Sequence, residues 1–138
     1  MKISACVANQ RGEHQVSLRT DDREHSLLIV PKADGSRSSV NGSELLFLAL
    51  ATCFCNDLYR GATKRGMDIR RVEVEVTGEF GGEGKAGRNI SYRASIAAQA
   101  PREQILDLMH DTDSVAEIQN TLRLSLPVVL SQCQALEI

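Results

Sequence analysis

Apolar and polar positions alternate through the first thirty residues and are interrupted twice by turn formers. Ile3-Ser4-Ala5-Cys6-Val7-Ala8, Gln15-Val16-Ser17-Leu18-Arg19 and Ser26-Leu27-Leu28-Ile29-Val30 predict three short strands. Gln10-Arg11-Gly12-Glu13 and Thr20-Asp21-Asp22-Arg23 supply the turns, which makes an antiparallel meander that Pro31 ends. Residues 32–42 are polar and predict a loop. From Ser43 the pattern becomes helical: Ser43 suits an N-cap, Glu44 in the first turn suits the helix dipole, and Lys64, Arg65 and Gly66 mark a C-terminal end. The predicted helix spans residues 43–65. Residues 71–80 then alternate Val with Glu, as expected of a strand with one wet face. Residues 89–97 return as its hairpin partner across a glycine-rich turn. Pro101 opens a helix with Ile105, Leu106 and Met109 on its apolar face, and a second short helix is expected over residues 114–122. Residues 124–130 predict a last strand, placed at an edge by Pro127. The pattern predicts an α+β fold, with antiparallel strands packed around a long central helix, as a single domain over residues 1–138.

Composition narrows the function. The 138 residues are 42% hydrophobic and 25% charged, which suits one globular core. Tryptophan is absent and aromatics are 4%, which removes the rings a single-strand nucleic-acid binder needs. Net charge is -2 and the basic residues are scattered, so no nucleic-acid footprint is present. The N-terminus carries no leader pattern, and the longest near-apolar stretch, residues 45–55, is too short to span a bilayer. A cytoplasmic location is expected, with Cys6, Cys53, Cys55 and Cys133 reduced rather than forming a disulfide framework. Cys-x-Cys without a second pair or a partnering His lacks metal-site spacing, so neither a metal nor a cofactor is expected. Gly81-Gly82-Glu83-Gly84 precedes a strand, not a helix, and reads as a hairpin loop instead of a phosphate cradle. His14, His25 and His110 fall outside any nucleophile motif.

The central helix carries the candidate chemistry. Leu45-Leu46-Phe47-Leu48-Ala49-Leu50-Ala51-Thr52-Cys53-Phe54-Cys55 has no polar face, and a helix apolar all round must be buried all round. So small a domain cannot cover both sides, which predicts a homodimer with this helix at the interface. The polar stretch from Asn56 and Asp57 through Lys64 is expected to emerge toward solvent. Cys53 and Cys55 point about 200° apart around the helix and cannot pair without unwinding it. Either cysteine can be a small buried hydrophobe, whereas a reactive thiol needs a nearby cation or base. The helix N-terminus is too far from Cys53 to serve, which leaves an Arg on a loop. Glu44 lies about 13 Å along the helix from Cys53 and on its opposite side. It can reach Cys53 only across a dimer interface, or else serves as a first-turn acid.

Laid out in this order, the chain resembles the OsmC/Ohr family, the osmotically induced and organic hydroperoxide resistance proteins. The resemblance rests on Asn41-Gly42-Ser43-Glu44-Leu45-Leu46-Phe47-Leu48-Ala49-Leu50-Ala51-Thr52-Cys53, on Arg65-Gly66-Met67-Asp68-Ile69 with the strand after it, and on Asn120-Thr121-Leu122-Arg123 with Leu126-Pro127-Val128. It implies an intertwined α+β homodimer with active sites at the interface. It also implies reduction of organic hydroperoxides by a reactive cysteine, which passes through a sulfenic acid to a disulfide with a second cysteine. Cys53 falls at the reactive position. Ser114-Val115-Ala116-Glu117-Ile118-Gln119 stands where the family places its second cysteine and contains none. Glu44 sits one residue nearer the cysteine than the family's activating acid, and Arg37 and Arg19 are the candidates for its activating arginine.

Three functions remain open at this point. The first is a one-cysteine peroxidase with Cys53 as nucleophile, recycled by an external thiol reductant. The second is a non-catalytic dimer that binds a small apolar ligand at its interface. The third is a purely structural or partner-binding dimer.

Overall fold

The computed structural model describes residues 1–10 and 12–138. The chain divides into two compact units, Met1–Leu46 and Phe47–Ile138.

The first unit is a three-stranded antiparallel sheet of β1 (Ile3–Gln10), β2 (Glu13–Thr20) and β3 (Arg23–Ser26), in that order. Arg11, part of the expected first turn, lies outside the described residues. At the second turn Asp21 adopts a left-handed φ of 51°, which an aspartate tolerates better than most side chains. Its backbone N–H donates to the Lys2 carbonyl at 2.8 Å, and its carboxylate accepts the Lys2 N–H at 2.8 Å. This tight turn pairs Thr20 with Arg23 at once, so β3 begins at Arg23. The sequence pattern placed that strand at residues 26–30; Ser26 closes the ladder opposite Ser17, and residues 27–30 continue outside it. Met1, Ile3, Val7, Leu28 and Val30 are exposed.

The loop before the long helix folds on itself, with Asp34 accepting the backbone N–H of Ser36 at 2.9 Å and its hydroxyl at 2.6 Å. Helix α1 (Gly42–Lys64) then starts on a reciprocal cap. The Asn41 side-chain oxygen accepts the Glu44 N–H at 2.9 Å, and the Glu44 carboxylate accepts the Asn41 N–H at 2.8 Å. Asn41 therefore takes the capping role that the sequence suggested for Ser43.

The second unit holds the core. At the C-terminal end of α1, Gly66 turns left-handed at φ 64°. Its N–H donates to Thr63 and the Met67 N–H to Ala62, which satisfies the last carbonyls as a Schellman motif. The hairpin of β4 (Asp68–Glu79) and β5 (Arg88–Gln99) follows. Its alternation appears as read: Ile69, Val72 and Val74 with Tyr92, Ala94 and Ile96 pack against the core, and Glu73, Glu75 and Arg93 face out. Gly78 is required by close packing, since a Cβ there would come within 2.7 Å of the Phe47 ring.

Helix α2 (Arg102–Val115) and helix α3 (Glu117–Arg123) complete the unit. The expected second short helix starts later than read, because α2 runs on through residues assigned to it. Residues 124–130, expected as a strand, form no ladder; a strand needs a neighbouring backbone, and none pairs with this segment among the described residues.

The core cluster is Phe54, Leu58 and Ala62 of α1 with Leu108 of α2. This stripe recurs every fourth residue and covers one side of α1, while Leu48 remains 57% exposed. Leu58 is fully buried. Leu58→Ala is expected to lower unfolding free energy by about 2–5 kcal/mol, measured by urea denaturation; a loss under about 1 kcal/mol would contradict the packing.

Candidate functional site

Cys53 stands one position before Phe54 and so lies at the edge of the buried stripe, neither in the core nor in open solvent. Helical spacing brings Asp57 onto the same face four residues on. The Cys53 thiol has Asp57 Oδ2 at 3.8 Å and Glu117 Oε2 at 3.9 Å, and its single proton is within reach of either carboxylate. Asp57 is only 6% exposed. Its other oxygen, Oδ1, accepts a hydrogen bond from the Arg60 guanidinium, which compensates the cost of burying a carboxylate. The expectation that Asp57 emerges toward solvent is thus corrected. Asn56, Tyr59 and Arg60 do emerge, whereas Asp57 turns toward the start of α3.

Burial pushes the Cys53 thiol up, and the charges of Asp57 and Glu117 push it further. The backbone N–H groups of Ile118 and Glu117 pull it down without reversing the direction. The sulfur therefore holds its proton above the pH at which an ordinary thiol loses it.

The start of α3 is held against α1 by several contacts. Ala116 is fully buried at the joint after α2. The Gln119 side-chain N–H donates to the Leu50 carbonyl at 3.0 Å. Arg123 donates to the Asp113 carboxylate at 2.7 Å and to its carbonyl at 3.1 Å, and Asn120 donates to the Ser114 carbonyl at 3.1 Å. The Tyr92 hydroxyl of β5 also donates to the Asp113 carboxylate. The Tyr92 hydrogen bond leads in holding the Asp113 carboxyl below its usual range, with Arg123 adding to it. Burial, reinforced by Asp113, pushes the Tyr92 phenol up. This clamp ties β5, α2 and α3 together and thereby fixes where Glu117 meets Cys53.

Beside the three side chains a cleft of about 280 Å³ opens, lined by Asp57, Arg60, Gly61, Leu108, Thr112 and Glu117 among others. The ligating atoms of Cys53, Asp57 and Glu117 lie within 4.8 Å of one another. The three are hydrogen-bonded as a thiol with two carboxylates, and Arg60 pairs with the buried one of these.

The other residues singled out from the sequence belong to the first unit. Glu44 is engaged in the α1 cap, Arg19 pairs with Glu24 at 3.3 Å, and Arg37 is an exposed loop residue at φ 51°. Within Phe47–Ile138, Cys53 meets carboxylates and no guanidinium directly. Cys55 points elsewhere, into a shallow depression beside Thr52, Asn56 and Val74 of β4. Sequence reasoning missed Asp57, Arg60 and Glu117. The spacing of Cys53, Asp57 and Arg60 at four and three residues along one helix is a signal that could have found the first two.

The chain is similar to known proteins over most of its length. The family model for OsmC-like proteins matches residues 34–131. No curated protein sequence matches the chain. Among solved structures, the OsmC-like protein from Mycoplasma pneumoniae is similar with a TM-score of 0.64 at 17% identity, covering 89% of this chain and 88% of that one. The organic hydroperoxide resistance protein OsmC from Legionella pneumophila gives 0.58 at 16%, covering 89% and 90%. An organic hydroperoxide resistance protein from Elizabethkingia anophelis gives 0.59 at 19%, covering 89% of each chain. At these identities the likeness carries the fold.

The raised thiol makes a direct prediction. Alkylation by iodoacetamide, followed by peptide mass spectrometry, should modify Cys53 more slowly than exposed Cys6 and Cys133 at neutral pH. Its rate should reach half-maximum at a higher pH than that of a free cysteine, because the thiolate is the reacting form. A midpoint at or below the free-thiol value would contradict the geometry.

Proposed function

The chain belongs to the OsmC-like protein family, and on that premise we propose that it reduces organic hydroperoxides with Cys53 as nucleophile. The observation that carries this reading is the setting of the thiol. Cys53 is partly accessible and contacts two carboxylates, which themselves line the cleft, instead of being enclosed by Leu and Val as a packing cysteine would be. The names of the Legionella and Elizabethkingia relatives, organic hydroperoxide resistance proteins, agree with it.

In the proposed reaction the sulfur attacks the distal peroxide oxygen, the O–O bond breaks, and an alcohol leaves. Cys53 is left as a sulfenic acid. Cys55 faces away from Cys53, and residues 114–119 contain no cysteine. Resolution therefore falls to an external thiol, which forms a mixed disulfide with loss of water. A second thiol then releases Cys53 and leaves as a disulfide.

The proposal includes a homodimer built on the whole chain as one OsmC-like domain, acting in the cytoplasm. The exposed Leu48 on α1 supports an apolar contact for a second copy. Among the described residues, no helix is long and apolar enough to cross a membrane. Arg19, Arg37 and Glu44 are proposed as groups that complete the site in the dimer, where a guanidinium near the sulfur would offset the carboxylates.

One observation favours the second reading, a non-catalytic member that binds a small apolar ligand at the dimer interface: the sulfur contacts carboxylates, which oppose the thiolate. Cumene hydroperoxide turnover with dithiothreitol separates the two. Wild type should turn over and Cys53→Ser should fall to the uncatalysed background; equal rates would remove Cys53 as the nucleophile. Glu44→Gln preserves the cap, since glutamine serves equally there. Lost turnover at unchanged unfolding free energy would therefore assign Glu44 to the chemistry.

A further inference from the structure

Three ligating atoms converge where α3 begins against α1. Cys53 and Asp57 stand four residues apart on one face of α1, and Glu117 opens α3. The Cys53 sulfur lies 3.8 Å from Asp57 Oδ2 and 3.9 Å from Glu117 Oε2, and no two of the three atoms are more than 4.8 Å apart. A tetrahedral zinc ion has Zn–S of about 2.3 Å and Zn–O of about 2.0–2.2 Å, which sets sulfur–oxygen edges of about 3.5–3.7 Å. The observed spacings are wider than those edges by an amount that a small side-chain rotation closes.

Two further features fit an ion at this point. Asp57 is buried, and Arg60 holds its far oxygen and leaves Oδ2 directed at the sulfur. Ligating carboxylates are commonly oriented by a second partner of this kind. Independently, Gln119 is only 4% exposed, and its Oε1 has no hydrogen-bond partner among the described residues. Its amide N–H is spent on the carbonyl of Leu50, one helical turn before Cys53, so the orphan oxygen belongs to the same joint. A buried acceptor without a donor calls for an explanation. A water in the fourth position of an ion held by three protein ligands is such a donor.

We propose that Cys53, Asp57 and Glu117 bind a thiophilic divalent cation of the zinc class, which silences the thiol reversibly. Cys-x-Cys spacing gives no hint of this site, because two of its ligands are carboxylates and Glu117 is 64 positions from Cys53. A thiolate beside two carboxylates selects zinc over magnesium or calcium, which are bound through oxygen. Binding exchanges a proton for the ion: the thiol and the cation give a metal thiolate and H⁺, with no change of oxidation state. The ion then occupies the sulfur lone pair that would attack a peroxide. It also supplies the positive charge that a guanidinium of the dimer would bring, so the two are alternative occupants. The binding site stands without the peroxidase reading; the silencing of peroxide chemistry rests on it.

The test uses tag-free full-length protein with Cys6, Cys55 and Cys133 changed to serine, reduced and then freed of reductant and metal. Zinc titrated against a chromophoric indicator should fill one strong site per chain, with magnesium unable to compete. Cobalt in its place should show sulfur-to-cobalt charge-transfer absorption, which Cys53→Ser abolishes. Glu117→Gln changes an exposed side chain, so it tests the site without disturbing the core, and should weaken zinc at least about tenfold. Absence of a strong site, cobalt bound without that absorption, or Glu117→Gln binding zinc like wild type would overturn the proposal and leave an adventitious ion only. Zinc should also slow iodoacetamide alkylation of Cys53 at least about tenfold, and EDTA should restore it. A single addition of cumene hydroperoxide separates this inference from its parent. Metal-free Cys53 should become a sulfenic acid, and zinc should prevent it. Metal-free Cys53 left reduced by the peroxide would sink the peroxidase reading while the metal site stood.

Discussion

Phe54, Leu58 and Ala62 fall on one side of α1, and their burial against β4–β5 and Leu108 fixes the rotation of the helix about its own axis. Every position around Cys53 follows from that rotation. With Phe54 in the core, Cys53 is carried to the edge of the stripe, Asp57 lies beneath it on the same face, and Cys55 is directed toward the Val74 side. A different register of the stripe would bury the thiol completely or expose it. The apolar packing of the unit is thus also what decides how much water reaches the sulfur.

Electrostatics is layered onto this packing. A carboxylate buried as deeply as Asp57 is costly unless paired and hydrogen-bonded, and Arg60 three residues on supplies the pair from the same helix. The pairing uses one oxygen and leaves the other for the thiol. On the far side, α3 is held by contacts that run through its end to Asp113 and Tyr92 and through Gln119 to the α1 backbone. Glu117 meets Cys53 because this clamp places the first turn of α3, although α3 is too short to be a stable helix by itself. The site is a by-product of two locally stable arrangements: a helix with an internal ion pair and a joint between two helices.

Much of the second unit was legible in the residues. The alternation of Val and Glu in β4 requires one wet face, and Gly66 after Lys64 and Arg65 is a common helix ending with a clear signal. The N-terminal cap was nearly legible, displaced by two residues because Asn41 and Glu44 cap each other reciprocally. What failed depended on partners distant in sequence. Residues 124–130 have the composition of a strand, but pattern cannot supply the neighbour that would make them one. Asp57 was read by polarity alone, and polarity does not reveal a helix face already claimed by an adjacent joint. Glu117 lies 64 positions from Cys53, and no local period connects them. Cys53 was singled out because its position within an apolar helix and the family resemblance agreed, and it sits beside Asp57 and Glu117.

The remaining tension is between two demands on one sulfur. A peroxide-reducing cysteine gains from thiolate character, yet the second unit surrounds Cys53 with acceptors that keep it protonated. Two remedies are chemically distinct. A guanidinium brought to the sulfur would stabilise the thiolate and let it act as a free anion, and carboxylates nearby would then serve to orient that cation. Without such a cation, the proton must leave as the S–O bond forms, and a fixed acceptor is worth more than a mobile one. The second unit supplies acceptors, Asp57 at 3.8 Å and Glu117 at 3.9 Å, and the proposed dimer is where a cation would come from. Burial and pairing with Arg60 make Asp57 a carboxylate that orders this face of α1, and the first remedy is the one that fits it.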